Sequence, residues 1–128
     1  MKIYIASFYD TRDRLRPICG LLEEMGHQVT SRWIRNQEDT KPSEEELGTY
    51  AQRDFDDIDA ADMLILDTID ETLRGGREVE LGYAVGKKEI VIVGPKRNVF
   101  HRLFINYKDW PSLLLVLWKR TELNKCKT

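Results

Sequence analysis

A chain of 128 residues, 41% hydrophobic and 33% charged, has the length and balance of one water-soluble domain spanning residues 1–128. Its formal net charge of −2 argues against a nucleic-acid polymer as partner, and neither the N-terminal apolar run nor the late LLLVLW run is long enough to cross a membrane or read as a signal segment. A small phosphorylated ligand stays open, and Cys19 and Cys126 fit no metal or redox spacing, which suits a reduced, cytoplasmic setting.

In chain order, Lys2–Ala6 reads as a short buried strand. A helix follows from about Thr11 to Met25, with Leu15, Ile18, Leu21, Leu22 and Met25 at helical spacing and Gly26 as its stop. Pro17 is tolerated there if the helix starts near Arg14. Gln28–Ile34 is a second strand and Arg35–Pro42 an exposed loop. Ser43 and Glu46 form a capping box that opens a helix running to about Ala60. Met63–Leu66 is a buried strand, Asp67–Gly76 a loop, Arg77–Gly86 a helix and Glu89–Val93 a strand broken by Gly94-Pro95. Leu103–Tyr107 is a faint last strand. Trp110–Leu123 is an amphipathic helix striped by Trp110, Leu113, Leu114, Leu117 and Trp118.

Alternating strands and helices, with strands that are continuous apolar runs, predict an α/β fold: a five-stranded parallel sheet of flavodoxin- or Rossmann-like order with helices on both faces. Ligands of such sheets bind beyond the carboxyl ends of the strands, at the switch point. Three polar segments follow strand ends: Ser7–Arg14, Asp67–Glu80 and Gly94–His101. The second carries Gly75-Gly76 into a helix with Glu80 in its second turn. One reading is a tight turn with acidic residues at a helix N-terminus. The other is a pocket in which the glycines admit a ligand and Glu80 points over the strand ends.

Asp54 falls on the same helical face as Leu47, Ala51 and Ile58, where a carboxylate is costly unless paired or used. It is either a local ion pair or a working group. Asp56, Asp57 and Asp59 read as solvated surface. Tyr4, central in the first strand, reads as core packing with its hydroxyl satisfied nearby. His27 and His101 have no ligand-type spacing and read as structural or exposed; no metal or cofactor site is expected.

Together these residues resemble the nucleoside 2-deoxyribosyltransferase family, with its nucleotide N-hydrolase relatives. The resemblance rests on Lys-Ile-Tyr-Ile-Ala-Ser at 2–7, on Asp54-Phe-Asp-Asp-Ile-Asp-Ala-Ala-Asp62 with the strand after it, and on Gly-Gly-Arg-Glu-Val-Glu80-Leu-Gly-Tyr-Ala84. It implies Glu80 as nucleophile, Asp54 as the aspartate that assists the nucleobase, and Tyr4 as the group that positions Glu80. It also implies an asparagine given by a neighbouring subunit, matched loosely by Asn98, and hence at least a homodimer.

The sequence departs from the family six residues before Glu80, where the transferases carry an acid that binds a sugar hydroxyl and the hydrolases a serine; here it is Arg74. An arginine suits an anion better than a hydroxyl. Arg74 and Ser7, with backbone N–H groups near Gly75, Gly76 and Arg77, are therefore expected to bind a 5′-monophosphate, and Arg77 and Arg12 are further candidates. Glu78 departs as well, and two positions along a helix it does not face Glu80. The expected activity is cleavage of the N-glycosidic bond of a nucleoside or nucleotide through a glycosyl-Glu80 ester, with transfer to water or to another base. The alternatives are a non-catalytic nucleotide sensor on the same fold and an NAD glycohydrolase.

Overall fold

The protein is described here from a computed structural model covering residues 1–36 and 41–126. Five parallel strands form one sheet in the order β2-β1-β3-β4-β5. They are β1 (Lys2–Ala6), β2 (Gln28–Val29), β3 (Met63–Asp67), β4 (Glu89–Val93) and β5 (Asn106–Tyr107). The helices are α1 (Arg12–Glu24), α2 (Glu44–Asp59), α3 (Gly76–Ala84) and α4 (Trp110–Cys126). The order is the flavodoxin-like one expected, and it reverses between β1 and β3. Among the described residues no helix is long and apolar enough to cross a membrane.

The three central strands are the sequence's apolar runs. Ile3, Ile5, Met63, Leu64, Ile65, Leu66 and Ile92 are all fully buried; each such side chain contributes about 1.5–3 kcal/mol of burial. Tyr4 pairs with Leu64 and Ile5 with Ile65, which sets β1 level with β3 and brings their carboxyl ends together. On one face α2 and α3 lie side by side, with Phe55 stacked on Tyr83 at 4.3 Å. On the other face α1 and α4 line a common groove through Leu21, Met25 and Leu114.

Local signals account for most ends. Gly26 ends α1 in the left-handed region at φ 93°. The Ser43–Glu46 box forms both of its hydrogen bonds, at 3.1 and 3.3 Å. Gly94, at φ 115°, closes β4 where an added Cβ would meet Thr68 Oγ1 at 2.6 Å and the Ile69 amide at 2.8 Å. Only glycine fits so close a pass of the β4 end over the β3 end.

Several expectations are corrected. The second strand ends at Val29, and Arg32–Ile34 form a 3₁₀ turn that still buries Trp33 and Ile34. The last strand is only Asn106–Tyr107, with a 3₁₀ turn at Phe100–Leu103 before it. α1 begins at Arg12, so Pro17 lies inside the helix and deprives the Asp13 carbonyl of its helical donor. Trp118, expected on the buried stripe of α4, is 50% exposed. Asp57 is buried, where its carboxylate accepts from the Arg32 amide and Nε at 3.0 and 2.9 Å. The exposed loop expected at Arg35–Pro42 falls partly on residues 37–40, outside the described residues.

Candidate active site

A pocket of about 400 Å³ opens at the carboxyl ends of β1 and β3. Ser7, Phe8 and Tyr9 line it from the segment after β1, and Leu47, Tyr50, Ala51, Arg53 and Asp54 from α2. Arg74, Gly76, Arg77 and Glu80 line it from the loop after β3 and the start of α3, and Trp33 forms part of the wall. The face of α2 that carries Leu47, Ala51 and Asp54 thus borders the pocket, and Leu47 is 47% exposed rather than packed in the core. That is why an aspartate is tolerated on an otherwise apolar stripe.

Glu80 sits at the inner wall. The hydroxyl of fully buried Tyr4 donates to its Oε2, joining β1 to α3. Burial pushes the Glu80 carboxyl up to about 8; the Tyr4 hydrogen bond opposes that shift, Asp54 adds to it, Arg53 opposes it and Asp57 adds to it. Burial first, and then the Glu80 charge, hold the Tyr4 phenol well above its ordinary value, so Tyr4 remains a donor. Asp54 and Arg53 are neighbours on α2: the Arg53 guanidinium reaches Asp54 Oδ1 at 3.3 Å and lies 5.1 Å from the centre of the Tyr50 ring.

Where the loop after β3 and the start of α3 line the pocket, it is cationic. Arg74 is exposed and meets Asp10 at 3.5 Å. Arg77 is only 4% exposed, and its Nη1 donates to the carbonyls of Asp67 and Asp70 at 3.1 and 2.9 Å. No carboxylate among the described residues forms an ion pair with it, and burial lowers the guanidinium from its ordinary value, which still leaves it charged. α3 begins beside it with no side-chain cap at Gly75, so the amides of Gly76 and Arg77 have no helical acceptor. Ser7, buried and bonded to Thr11 Oγ1 at 3.0 Å, completes this part of the pocket. Uncapped amides, a buried guanidinium and a hydroxyl are the chemistry of an anion site.

Of the residues singled out from sequence, Tyr4, Glu80, Asp54, Ser7, Arg74, Gly76 and Arg77 converge here. Gly75 stands behind the wall as the N-cap of α3. Asn98 lies outside this pocket; its Oδ1 accepts from the amides of Phe100 and His101 at 3.0 and 3.1 Å. Glu78 points away from Glu80 and accepts from fully buried His101 Nε2 at 2.8 Å. His101 Nδ1 accepts from the Arg97 amide, so Nε2 carries the ring proton. Arg53, Tyr50, Trp33 and Phe8 escaped sequence reasoning. Arg53 sits beside a residue that was noticed, but nothing in a single charged position on a helix marks it as facing inward. Among the described residues no group of three or more His, Cys, Asp or Glu side chains is arranged to hold a metal ion.

Below the floor of the site, Asp67 is fully buried at the end of β3. Its carboxylate accepts two hydrogen bonds from Arg14, at 2.9 and 3.1 Å, and one from Trp110 Nε1 at 2.8 Å. With Arg77 on its carbonyl, Asp67 anchors the loop that carries Arg74 and Gly75.

The family model described as Nucleoside 2-deoxyribosyltransferase matches residues 3–106. The fold is similar to that of a 2-deoxyribosyltransferase from Bacillus psychrosaccharolyticus, with 22% identity over 91% of this chain and 96% of that one and a TM-score of 0.73. It is also similar to a CMP N-glycosidase from Clostridium botulinum, with 18% identity over 91% and 98% of the two chains and a TM-score of 0.63. A conserved protein from Enterococcus faecalis shares 16% identity over 94% and 98%, with a TM-score of 0.67. No curated protein matches the chain.

Proposed function

Because the chain belongs to the nucleoside 2-deoxyribosyltransferase family, we propose that it cleaves the N-glycosidic bond of a nucleoside 5′-monophosphate through a covalent glycosyl-Glu80 intermediate. The observation that carries this reading is one pocket lined together by Glu80, hydrogen-bonded to Tyr4, by Asp54, and by Arg74, Arg77 and Ser7. A nucleotide has a part for each of these groups: a base, an anomeric carbon and a phosphate.

Cleavage builds positive charge on the anomeric carbon and ring oxygen, which an adjacent carboxylate stabilises. Glu80 forms an ester bond to C1′ as the C1′–N bond breaks, and the departing electron pair goes to the base nitrogen. Asp54 delivers a proton there, directly or through water. Water or a second base then attacks C1′ and gives its proton to the Asp54 carboxylate, the ester bond breaks and Glu80 is regenerated as a carboxylate. Arg77, Arg74, Ser7 and the first amides of α3 hold the phosphate. The fold likeness to a CMP N-glycosidase agrees with a nucleotide substrate.

The same reading takes the working form to be a homodimer. Val85 at the end of α3 lines one apolar hollow with Phe100 and Leu103; the three are 44–72% exposed, a face close in sequence to Asn98 that a second copy would cover. Leu103→Glu then yields a monomer by light scattering; a dimer that persists in that variant argues against this face.

The test of function is base release from matched nucleosides and 5′-monophosphates by the wild type, Glu80→Ala and Arg74→Ala. The reading expects the monophosphate to be preferred, the preference to shrink in Arg74→Ala, and Glu80→Ala to be inactive. Equal rates on both substrates, unchanged in Arg74→Ala, would refute the phosphate assignment.

A further inference from the structure

Asp10 has no part in the proposed reaction, yet it stands beside a group assigned to the phosphate. Its carboxylate meets Arg74 Nη1 at 3.5 Å. The two residues come from different segments. Arg74 lines the pocket from the loop after β3, and Asp10 follows Ser7, Phe8 and Tyr9, which line it from the segment after β1. Both side chains are more than half exposed, and an exposed ion pair this long contributes little to stability. Its consequence is for what binds.

The turn Tyr9–Thr11 that carries Asp10 is held by its own contacts. The Thr11 amide and hydroxyl donate to the Phe8 carbonyl at 3.0 and 2.7 Å, and the Arg12 guanidinium lies over the Tyr9 ring at 3.6 Å. The fold, rather than Arg74, therefore places the Asp10 carboxylate. The next arginines of α1 serve other carboxylates: Arg14 pairs with Asp67 and Asp70, and Arg16 with Asp13.

Burial grades the anion-binding groups. Ser7 and Arg77 are 6% and 4% exposed, whereas Arg74 and Asp10 are open to solvent. A first phosphate, held by Arg77 and Ser7, takes the buried partners. It can also draw Arg74 from Asp10, because a phosphate dianion offers a guanidinium two oxygens at closer range than 3.5 Å. A second phosphate joined to the first has only exposed groups left to meet. There its added negative charge faces Asp10, a like charge fixed beside the cation it would need.

Resting on the function proposed above, we infer that Asp10 is a specificity-determining residue: standing against Arg74, its carboxylate confines the anion-binding part of the pocket to a single phosphate, so that nucleoside 5′-monophosphates are taken and 5′-diphosphates and 5′-triphosphates are refused. The effect is one of charge. Glutamate at this position preserves it, asparagine removes it, and salt weakens it.

The experiment is isothermal titration calorimetry on the full chain carrying Glu80→Gln, so that binding is read apart from turnover. The ligands are the four common 2′-deoxynucleosides, their 5′-monophosphates and their 5′-diphosphates, in magnesium-free buffer at low and high salt. With Asp10 in place the monophosphate binds about tenfold or more tighter than the diphosphate at low salt, and the gap narrows at high salt. In Asp10→Asn the diphosphate gains about tenfold more than the monophosphate, so that the preference disappears; in Asp10→Glu the preference remains. A preference that is unchanged in Asp10→Asn overturns the inference, as does a diphosphate that matches the monophosphate while Asp10 is present. Monophosphates that bind no tighter than their nucleosides in every variant overturn the phosphate assignment itself, and the inference falls with it.

Discussion

The Tyr4 hydroxyl donates to the Glu80 carboxylate, binding β1 to α3 across 76 positions of sequence. One neutral donor favours the anion without offsetting the loss of hydration, and the Glu80 carboxyl stands at about 8. On the proposed mechanism, Glu80 is therefore mostly protonated at pH 7 until the pH rises or a cationic transition state develops beside it.

Activity should follow that ionisation. Since only the carboxylate attacks carbon, kcat/KM for base release is expected to climb by about tenfold per pH unit between pH 5.5 and 7, and to level off near pH 8, where half of Glu80 is ionised. A profile that is flat over this range would separate the rate from Glu80.

Removing the Tyr4 hydroxyl leaves a buried ring of nearly the same shape. Tyr4→Phe therefore folds, but Glu80 loses a hydrogen bond that favours its charged form. At pH 7 kcat/KM should fall by about 10–100-fold, the worth of a hydrogen bond to a charged group, and the midpoint of the pH profile should move upward. Unchanged kinetics at all pH values would reduce Tyr4 to core packing.

Glu80 also costs stability. Its carboxyl ionises near its ordinary value in the unfolded chain but only near 8 in the folded one. Between those values the folded state binds more protons, so stability falls as pH rises through this window and is fully retained below it. Glu80→Gln removes that penalty. At pH 8 the variant should melt above the wild type, by roughly 4 °C for each kcal/mol relieved, and the gap should narrow steadily as pH falls and close only below the ordinary carboxyl value of 4.5. A gap that does not narrow as pH falls would contradict this.

Asp67 is the structural counterpart. Its fully buried carboxylate joins Arg14 and Trp110 beneath the site. Asp67→Ala strands an indole N–H and a partly buried guanidinium, which should cost about 3–5 kcal/mol in urea unfolding. A loss under about 1 kcal/mol would mean that the surrounding groups find other partners.

How far the sequence reached follows from what periodicity encodes. β1, β3 and β4 were legible because strands buried on both faces read as unbroken apolar runs, and the capping box fixed the start of α2. β2 and β5 were read too long because Trp33, Ile34, Leu103 and Phe104 are apolar but sit in or beside 3₁₀ turns, and apolar runs do not distinguish a turn from a strand. Glu80, Asp54 and Tyr4, which the structure brings together, were singled out through motif order and helical face. Arg53 and the Arg32–Asp57 pair were missed because their meaning comes from partners in other elements or from which way one charged side chain turns. The Glu78–His101 contact spans 23 residues and left no local trace.

The central claim is a temporary ester between Glu80 and a sugar carbon. Intact-protein mass spectrometry after rapid acid quench, followed by peptide mapping, tests it directly. With a reactive nucleoside 5′-monophosphate, the wild type should gain the mass of one pentose phosphate residue on the peptide containing Glu80, and Glu80→Ala should gain nothing. Base release with no adduct in the wild type, together with undiminished turnover in Glu80→Ala, would contradict it.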